Sequence, residues 1–422
     1  MLEKLWENEE KDIEKNCVFW NMISSGLNSV VSMVLLWVVT RVNGVVDAGI
    51  FSLGFSTSQM MLTIGNYGMR NYQVTDIRDK YSMRVYLASR VVTNVIMMVI
   101  VIGFVGLEGY TFEKAVITIL LSLLKATDAF DDVYGGYYQK KGRLDVSGKL
   151  MSLRIILYVI GFCVCLILSN DLIIGCLAAI IISSITLSTL VASTRQIAIL
   201  EKPEFNWKKI TLLLKECFPL CISAYLLIYM GNAPKYAIDT YLDASEQAYF
   251  TYLFMPCFVI NLFVGFILQP LLVRLSKSWL HKEYRKFLKI CGMIFAVALV
   301  IAGFIVVAGG MLGCQILTVV FGVQLMQYRD VLIVLLIGGS FFTFAVIEQV
   351  ILTVMRRQIW LLVGFILAST TAFVVSDSLV DSWKLLGAGY AYTLSAGILF
   401  LVLLMMILLF LYNEKKRNKV LL

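Results

Sequence analysis

Histidine is almost absent from this sequence: 422 residues hold a single one, His281, inside a Lys/Arg-rich stretch. A histidine-ligated metal centre or a Ser-His-Asp triad needs more than that. Charge is also sparse, at 15% of residues against about 25% in soluble domains. Nine cysteines are scattered without paired spacing. Cys163, Cys165, Cys176, Cys221 and Cys291 sit in apolar runs, and Cys163-Val164-Cys165 is too tight for a CxxC motif. They read as small apolar residues rather than metal or redox ligands. No Walker-type glycine loop occurs, which argues against ATP hydrolysis. Residues 1–16 are polar and lack the apolar run and small-residue cleavage site of a signal peptide.

Hydrophobic residues make up 59% of the chain and the mean hydropathy is +0.84. That composition is expected of an all-α polytopic membrane protein. A bilayer core of about 30 Å takes about 20 apolar residues of helix. On that measure, spans are expected near 18–40, 48–68, 85–107, 116–138, 151–169 and 171–194. A second set is expected near 215–234, 248–272, 287–308, 331–354, 358–376 and 385–411. The count is about twelve transmembrane helices. The Gly-rich run from Gly309 to Leu325 is expected to be a short re-entrant or surface helix.

Basic residues orient the spans. Most of the 36 Lys and Arg fall in alternate loops and at the two ends, including Lys4, Lys11, Arg70, Arg78, Lys140, Lys141, Arg195, Arg274, Arg356 and Lys415. The opposite loops keep Arg41, Lys114, Lys235, Arg329 and Lys384. By the positive-inside rule, both termini are cytoplasmic and the span number is even. The net charge of +8 is thus accounted for by topology, and no nucleic-acid partner is expected. The loops on the other side are short, which leaves no room for the external domain of a sugar-lipid polymerase.

The two halves resemble each other. Asp132 precedes Lys140-Lys141 by eight residues and Glu348 precedes Arg356-Arg357 by the same interval, on the fourth and tenth spans. The second and eighth spans open with Asp47-Ala48-Gly49-Ile50-Phe51 and Gln247-Ala248-Tyr249-Phe250. Six spans per half point the repeats in the same direction, as in two-lobed transporters. The expected organisation is a cytoplasmic segment 1–16, an N-lobe 17–194, a linker 195–214, a C-lobe 215–412 and a basic tail 413–422.

Polar residues inside spans face protein or water. Asn21, Ser25, Asn28 and Ser32 share one helical face of the first span. Ser52, Ser56, Gln59, Thr63 and Asn66 share one of the second, and Tyr225, Tyr229, Asn232 and Tyr236 one of the seventh. The small residues suit helix packing or a cavity wall alike; the bulky tyrosines and amide suit a water-filled cavity better. The fourth span carries Lys125, Asp128, Asp131 and Asp132, with 125, 128 and 132 on one face. Each such charge costs at least about 2.5–3.5 kcal/mol near the bilayer centre. Either Lys125 pairs with Asp128 locally, or the row is a cation- or proton-binding patch with Lys125 available to an anion. Glu348 is the only acid of its span and has no cation within a turn or two, so it is a candidate for proton exchange. At the outer end of the seventh span, Asn232-Ala233-Pro234-Lys235 is either an interfacial cap, with Lys235 snorkelling or paired to Asp239, or an outer gate and anion contact. Pro234 can bend the helix there.

Asp128-Ala129-Phe130-Asp131-Asp132 also resembles the acidic motif of membrane prenyltransferases. Those enzymes need a second, facing motif, and the only other spaced pair, Asp377 and Asp381, is expected on the opposite side of the bilayer.

Several stretches resemble the bacterial polysaccharide flippases that export O-antigen and capsule precursors, in the multidrug/oligosaccharidyl-lipid/polysaccharide (MOP) exporter superfamily. They are Phe19-Trp20-Asn21-Met22, Asp47-Ala48-Gly49-Ile50-Phe51, Gly68-Met69-Arg70-Asn71-Tyr72-Gln73, Gln139-Lys140-Lys141-Gly142-Arg143 and Asn232-Ala233-Pro234-Lys235-Tyr236. The resemblance implies a V-shaped pair of six-helix lobes, similar to multidrug and toxin extruders (MATE), in the bacterial plasma membrane. It implies no catalysis, no cofactor and no bound metal. The cargo it implies is a glycan on undecaprenyl diphosphate, moved by alternating access. Partners would be the bilayer, a proton or sodium ion, and the polymerase or glycosyltransferases of the same pathway. On this reading Arg90, Lys125 and Lys235 are candidates for the diphosphate, and Tyr225, Tyr229, Asn232, Asn28 and Gln59 for the glycan. Asp128, Asp132, Glu348 and Pro234 are candidates for coupling or gating. The alternatives are a cation-coupled multidrug extruder of the same superfamily and the prenyltransferase. The first span has no intramembrane cation, a departure from the lipid II flippases.

Overall fold

The computed structural model describes Trp6 and residues 12–76, 79–194, 202–355 and 357–420. Lys4, Lys11, Arg78, Arg195 and Arg356 of the orienting basic set lie outside the described residues, so one member of the Arg356-Arg357 pair does too. Among the described residues the secondary structure is helical throughout. Twelve long helices follow the twelve expected spans: α1 Ile13–Val42, α2 Val45–Asn66, α3 Met83–Leu107, α4 Phe112–Lys140, α5 Leu144–Ser169 and α6 Leu172–Ser193. Then come α7 Trp207–Tyr241, α8 Ala244–Leu280, α9 Tyr284–Ala308, α10 Arg329–Val354, α11 over 361–383 and α12 over 385–420. The last two run together apart from a break at Lys384, which takes φ 51° and ψ −133°.

Eight stretches are long and apolar enough to cross a membrane on hydropathy alone, and the eighth of them covers both α11 and α12. Two of the helices outside that set, α2 and α4, are the ones diluted by the Ser/Thr/Gln face and the charged row. Side chains such as Val300, Phe304, Phe373 and Val374 are more than 60% exposed on their helices. Such surfaces belong in hydrocarbon, so the chain is a multi-pass membrane protein.

The glycine-rich run after α9 departs from expectation. Gly309–Gly313 continues α9 as one π-helical turn, and Cys314–Phe321 carries the helix on to Gly322, where φ is 73°. It is the far end of the ninth span, not a separate re-entrant or surface element. Arg329 Nε donates to the Gly310 carbonyl at 2.6 Å, a backbone group within the π turn.

Cα packing divides the chain into two compact units, Met1–Tyr225 and Leu226–Leu422, and the division falls within α7. In the first unit α4 is central, contacting α2, α3, α5 and α6. α1 and α5 approach closely at Gly148, where a Cβ would lie 2.6 Å from the Trp20 backbone. The first half of α7 packs on this unit: Ile210, Leu213 and Cys217 join a buried cluster with Met69, Tyr81, Val85 and Val133. A polar latch lies beside that cluster. Glu216 accepts from Tyr72 Oη at 2.6 Å, Lys80 Nζ at 2.6 Å and Tyr81 Oη at 3.1 Å. Asp76 secures the same segment by accepting from the backbone of Lys80 and Tyr81. Among the spans that qualify on hydropathy alone, α10 of the second unit is the most enclosed, with 61% of its apolar window buried against 22–39% in the others.

Candidate functional site

The charged row on α4 is completed by side chains from four neighbouring helices, α2, α3, α5 and α6, and the segment after α2. Asp128 and Asp131 are both met by Arg154 of α5. Arg154 Nη1 lies 2.7 Å from Asp128 Oδ1, an ion-pair contact rather than an aligned hydrogen bond. Nη2 and Nε lie 2.9 and 3.0 Å from Asp131 Oδ2. Arg154 Nη1 also donates to Ser183 Oγ of α6 at 2.9 Å and to Thr127 Oγ1 at 3.3 Å. Lys125 Nζ donates to the other oxygen of Asp128 at 2.9 Å and sits 4.7 Å from the centre of the Phe55 ring on α2. Two cations and two acids close a neutral cluster.

One turn further on, Asp132 is shared by two arginines. Arg90 Nη2 of α3 donates to Asp132 Oδ2 at 2.7 Å, and Arg70 Nη1 lies 3.5 Å from Oδ1. Arg90 Nη1 donates to the Gly65 carbonyl at 2.5 Å and to Asn66 Oδ1 at 3.3 Å, at the end of α2. Arg70 is held by Gln139 Oε1 at 3.2 Å. Gly136 is what lets this set close up: a Cβ there would collide with the Gln73 amide. Both arginines inside the spans, Arg90 and Arg154, are fully buried, whereas Asp128 and Asp132 keep 14% and 18% of their side-chain surface. The row therefore reaches accessible space at Asp128, Asp132 and Arg70, whose side chain is 31% exposed, and is closed behind them.

These contacts sharpen the sequence expectations. Lys125 does pair with Asp128, and neither Asp128 nor Asp132 is a free carboxylate awaiting a cation. Arg90 was expected to be an anion contact; here it is a buried clamp across α2, α3 and α4. Arg154 and Arg70 were not among the expected site residues, and Asp131 was expected in the charged row but off the face of Lys125, Asp128 and Asp132. The available signal was arithmetic: three acids on one span call for cations, and Arg154 sits inside the next span. Among the described residues no group of three or more His, Cys, Asp or Glu could hold a metal. With its acids bound to cations, the prenyltransferase-like motif lacks the free carboxylates that magnesium would need. Asp377 and Asp381 stand exposed on α11 rather than in a loop.

The polar stripes divide. On α1, Asn21, Ser25 and Asn28 are exposed, a polar face that needs water or polar cargo. On α2, Ser52 and Thr63 are buried and bond back to Gly49 and Met60 carbonyls, while Gln59 is half-buried. Those hydroxyls serve packing.

In the seventh helix the Pro234 motif is not an end cap. α7 continues through it to Tyr241, about 9 Å beyond Lys235 at 1.5 Å per residue. Asn232 and Lys235 are 7% and 8% exposed, and Lys235 Nζ lies 5.5 Å from the centre of the Phe254 ring. Lys235 therefore does not snorkel. Tyr229 and Tyr236 are half-buried in the second unit, and Tyr225 is half-buried in the first. Glu348 of α10 is fully buried, and neither of its oxygens has a hydrogen-bond partner among the described residues.

A buried cationic row beside acids, in an all-helical membrane protein of two units, is the setting in which the comparisons with known proteins are informative. The family model described as polysaccharide biosynthesis protein matches residues 15–279. The chain belongs to that family. The match spans the whole charged row and the Lys235 motif, and leaves Glu348 outside it. Within the polysaccharide biosynthesis proteins, the capsular polysaccharide biosynthesis protein CapF of Staphylococcus aureus is 22% identical over 379 residues, 88% of this chain and 94% of CapF. The fold is that of MOP-superfamily transporters. The lipid II flippase MurJ in an inward closed conformation aligns with TM-score 0.75 at 12% identity, over 92% of this chain and 87% of MurJ. An inward-facing MATE multidrug transporter aligns with TM-score 0.69 at 12% identity, over 92% and 96% of the two chains.

Proposed function

We propose that this polysaccharide biosynthesis protein is a flippase: it carries a glycan linked to undecaprenyl diphosphate from the inner to the outer leaflet of the bacterial plasma membrane by alternating access of its two lobes. Both termini are cytoplasmic in this reading, and the chain catalyses no covalent chemistry. The observation that carries it is the buried cationic row of α4 and its neighbours in a member of this family. Arg70, Arg90, Lys125 and Arg154 oppose three acids, an excess of one positive charge suited to a phosphate group. The exposed polar face of α1 and the tyrosines of α7 suit hydroxyl-rich sugars. Lys235 is the second anion contact, near the outer end of its helix, and Pro234 marks the gate.

Coupling falls to Glu348. Asp128 and Asp132 are occupied by cations, whereas the Glu348 carboxyl has no partner for its charge among the described residues and can take up and release a proton as its surroundings open. A multidrug extruder remains the second reading, supported by the MATE-like fold. An extruder of organic cations would use an acid-lined site, and the acids of the row are already neutralised.

Rescue of surface-polysaccharide export in a strain lacking its own flippase tests the proposal. The wild-type chain restores export, while Lys235→Ala and Glu348→Gln, at normal protein levels, do not. Drug resistance without rescue by any lipid-linked glycan would establish the extruder instead.

A further inference from the structure

The three cations of the row inside the spans are not equivalent; the fourth, Arg70, lies on the segment after α2, 31% exposed, between Asp132 and Gln139. Arg154 has its guanidinium turned to Asp128, Asp131, Thr127 and Ser183. Arg90 is fixed to Asp132, Asn66 and the Gly65 carbonyl. Either would have to abandon several partners to meet a ligand. Lys125 has one acidic partner, Asp128, and an aromatic face. Its flexible stem and three rotatable donors suit a moving contact better than a guanidinium fork does. Asp128, in turn, has two cations, and the second is Arg154.

From this asymmetry we infer that Lys125 is the exchangeable arm among the cations inside the spans: the arriving phosphate takes the Lys125 ammonium from Asp128, and Asp128 later takes it back and so releases the cargo. The inference rests on the flippase reading and adds the residue that sets release. Breaking a buried ion pair is costly when it leaves a bare charge behind. Here it leaves none, because Asp128 stays 2.7 Å from Arg154 Nη1 when Lys125 departs. The exposed edge of Asp128 provides the approach, and Phe55 backs the ammonium from α2. A transporter has to bind firmly enough to load and weakly enough to unload. An acid that competes for the same ammonium supplies that balance within the protein.

The experiment measures binding of farnesyl diphosphate, with farnesol as the uncharged control, to the full-length protein in lipid nanodiscs. Wild-type protein binds the diphosphate over the alcohol. Lys125→Met weakens binding by about tenfold or more, the loss of a charge-assisted contact. Asp128→Asn removes the competitor and tightens binding several-fold, and the double variant binds like Lys125→Met. Lys125→Arg keeps binding, which separates lost charge from lost packing. If Lys125→Met does not yield folded protein, Asp128→Asn decides alone. Unchanged or weakened binding in Asp128→Asn, with wild-type binding intact, overturns the exchange and leaves the flippase reading standing. No preference for the diphosphate in the wild type removes the flippase reading itself.

Discussion

Without Arg154, Asp131 would have no ion-pair partner among the described residues and Asp128 would keep only Lys125. A buried pair broken on one side costs about 3–5 kcal/mol because the other charge stays behind. Arg154→Leu is therefore expected to destabilise the first unit by about that amount, read as a lowered melting temperature in detergent. Adding Asp131→Asn removes the orphaned charge and should recover part of the loss. An unchanged melting temperature in Arg154→Leu would show that the acids are neutral in the folded protein and that the cluster is not ionic. At this scale the sequence is readable only in part. Lys125 and Asp128 are three residues apart on one helix, so their pairing follows from helical geometry. Arg154 meets Asp131 across helices, at a sequence separation of 23, and no periodicity within a span reveals such a pairing. Arg90 was visible as a buried cation, but its clamp role depends on the Gly65 carbonyl, which only the folded chain brings near.

The segments between helices carry their own constraints, and the latch around Glu216 is the firmest among those described. Glu216→Gln leaves the shape of the side chain and removes its charge, so Tyr72, Lys80 and Tyr81 lose an ionised acceptor. Faster hydrogen exchange over residues 69–76 and 79–82 is expected, with only a small stability loss because Lys80 is half exposed. Exchange indistinguishable from wild type would reduce the latch to a surface contact. The Glu216 carboxylate holds the Lys80 amine above its ordinary range. The contribution of that pair is thus complete at neutral pH, fades as pH rises above about 10.4, the unfolded lysine value, through the raised one, and is lost on acidification as Glu216, held below its usual range by the same contacts, takes up a proton. Asp79 has the opposite sign: Lys140 draws its carboxyl below the usual range. Its small, exposed contribution is present above about pH 3.9 and is lost on acidification. Helix number and order were legible because about 20 apolar residues in a row have one solution in a bilayer. Helix ends were less so. Pro234 and the glycines at 309–313 looked like stops, yet α7 continues through the first and α9 through the second by way of a π turn. Local breakers set propensity, and neighbouring helices decide whether the break occurs.

Across the whole molecule, the fold, the family and the multi-pass character agree with what hydropathy and short motifs implied. The cargo, the direction and the coupling ion belong to the proposal. The most direct measurement is leaflet exchange. Purified protein is reconstituted into vesicles holding a fluorescent glycan on undecaprenyl diphosphate, and the fraction reachable by a membrane-impermeant quencher is followed over time. The account predicts that wild-type protein speeds exchange well above empty vesicles, that Lys125→Met removes most of the gain, and that a lipid-linked glycan without the diphosphate is not moved. Exchange no faster than in empty vesicles, or equal exchange with and without the diphosphate, would contradict it.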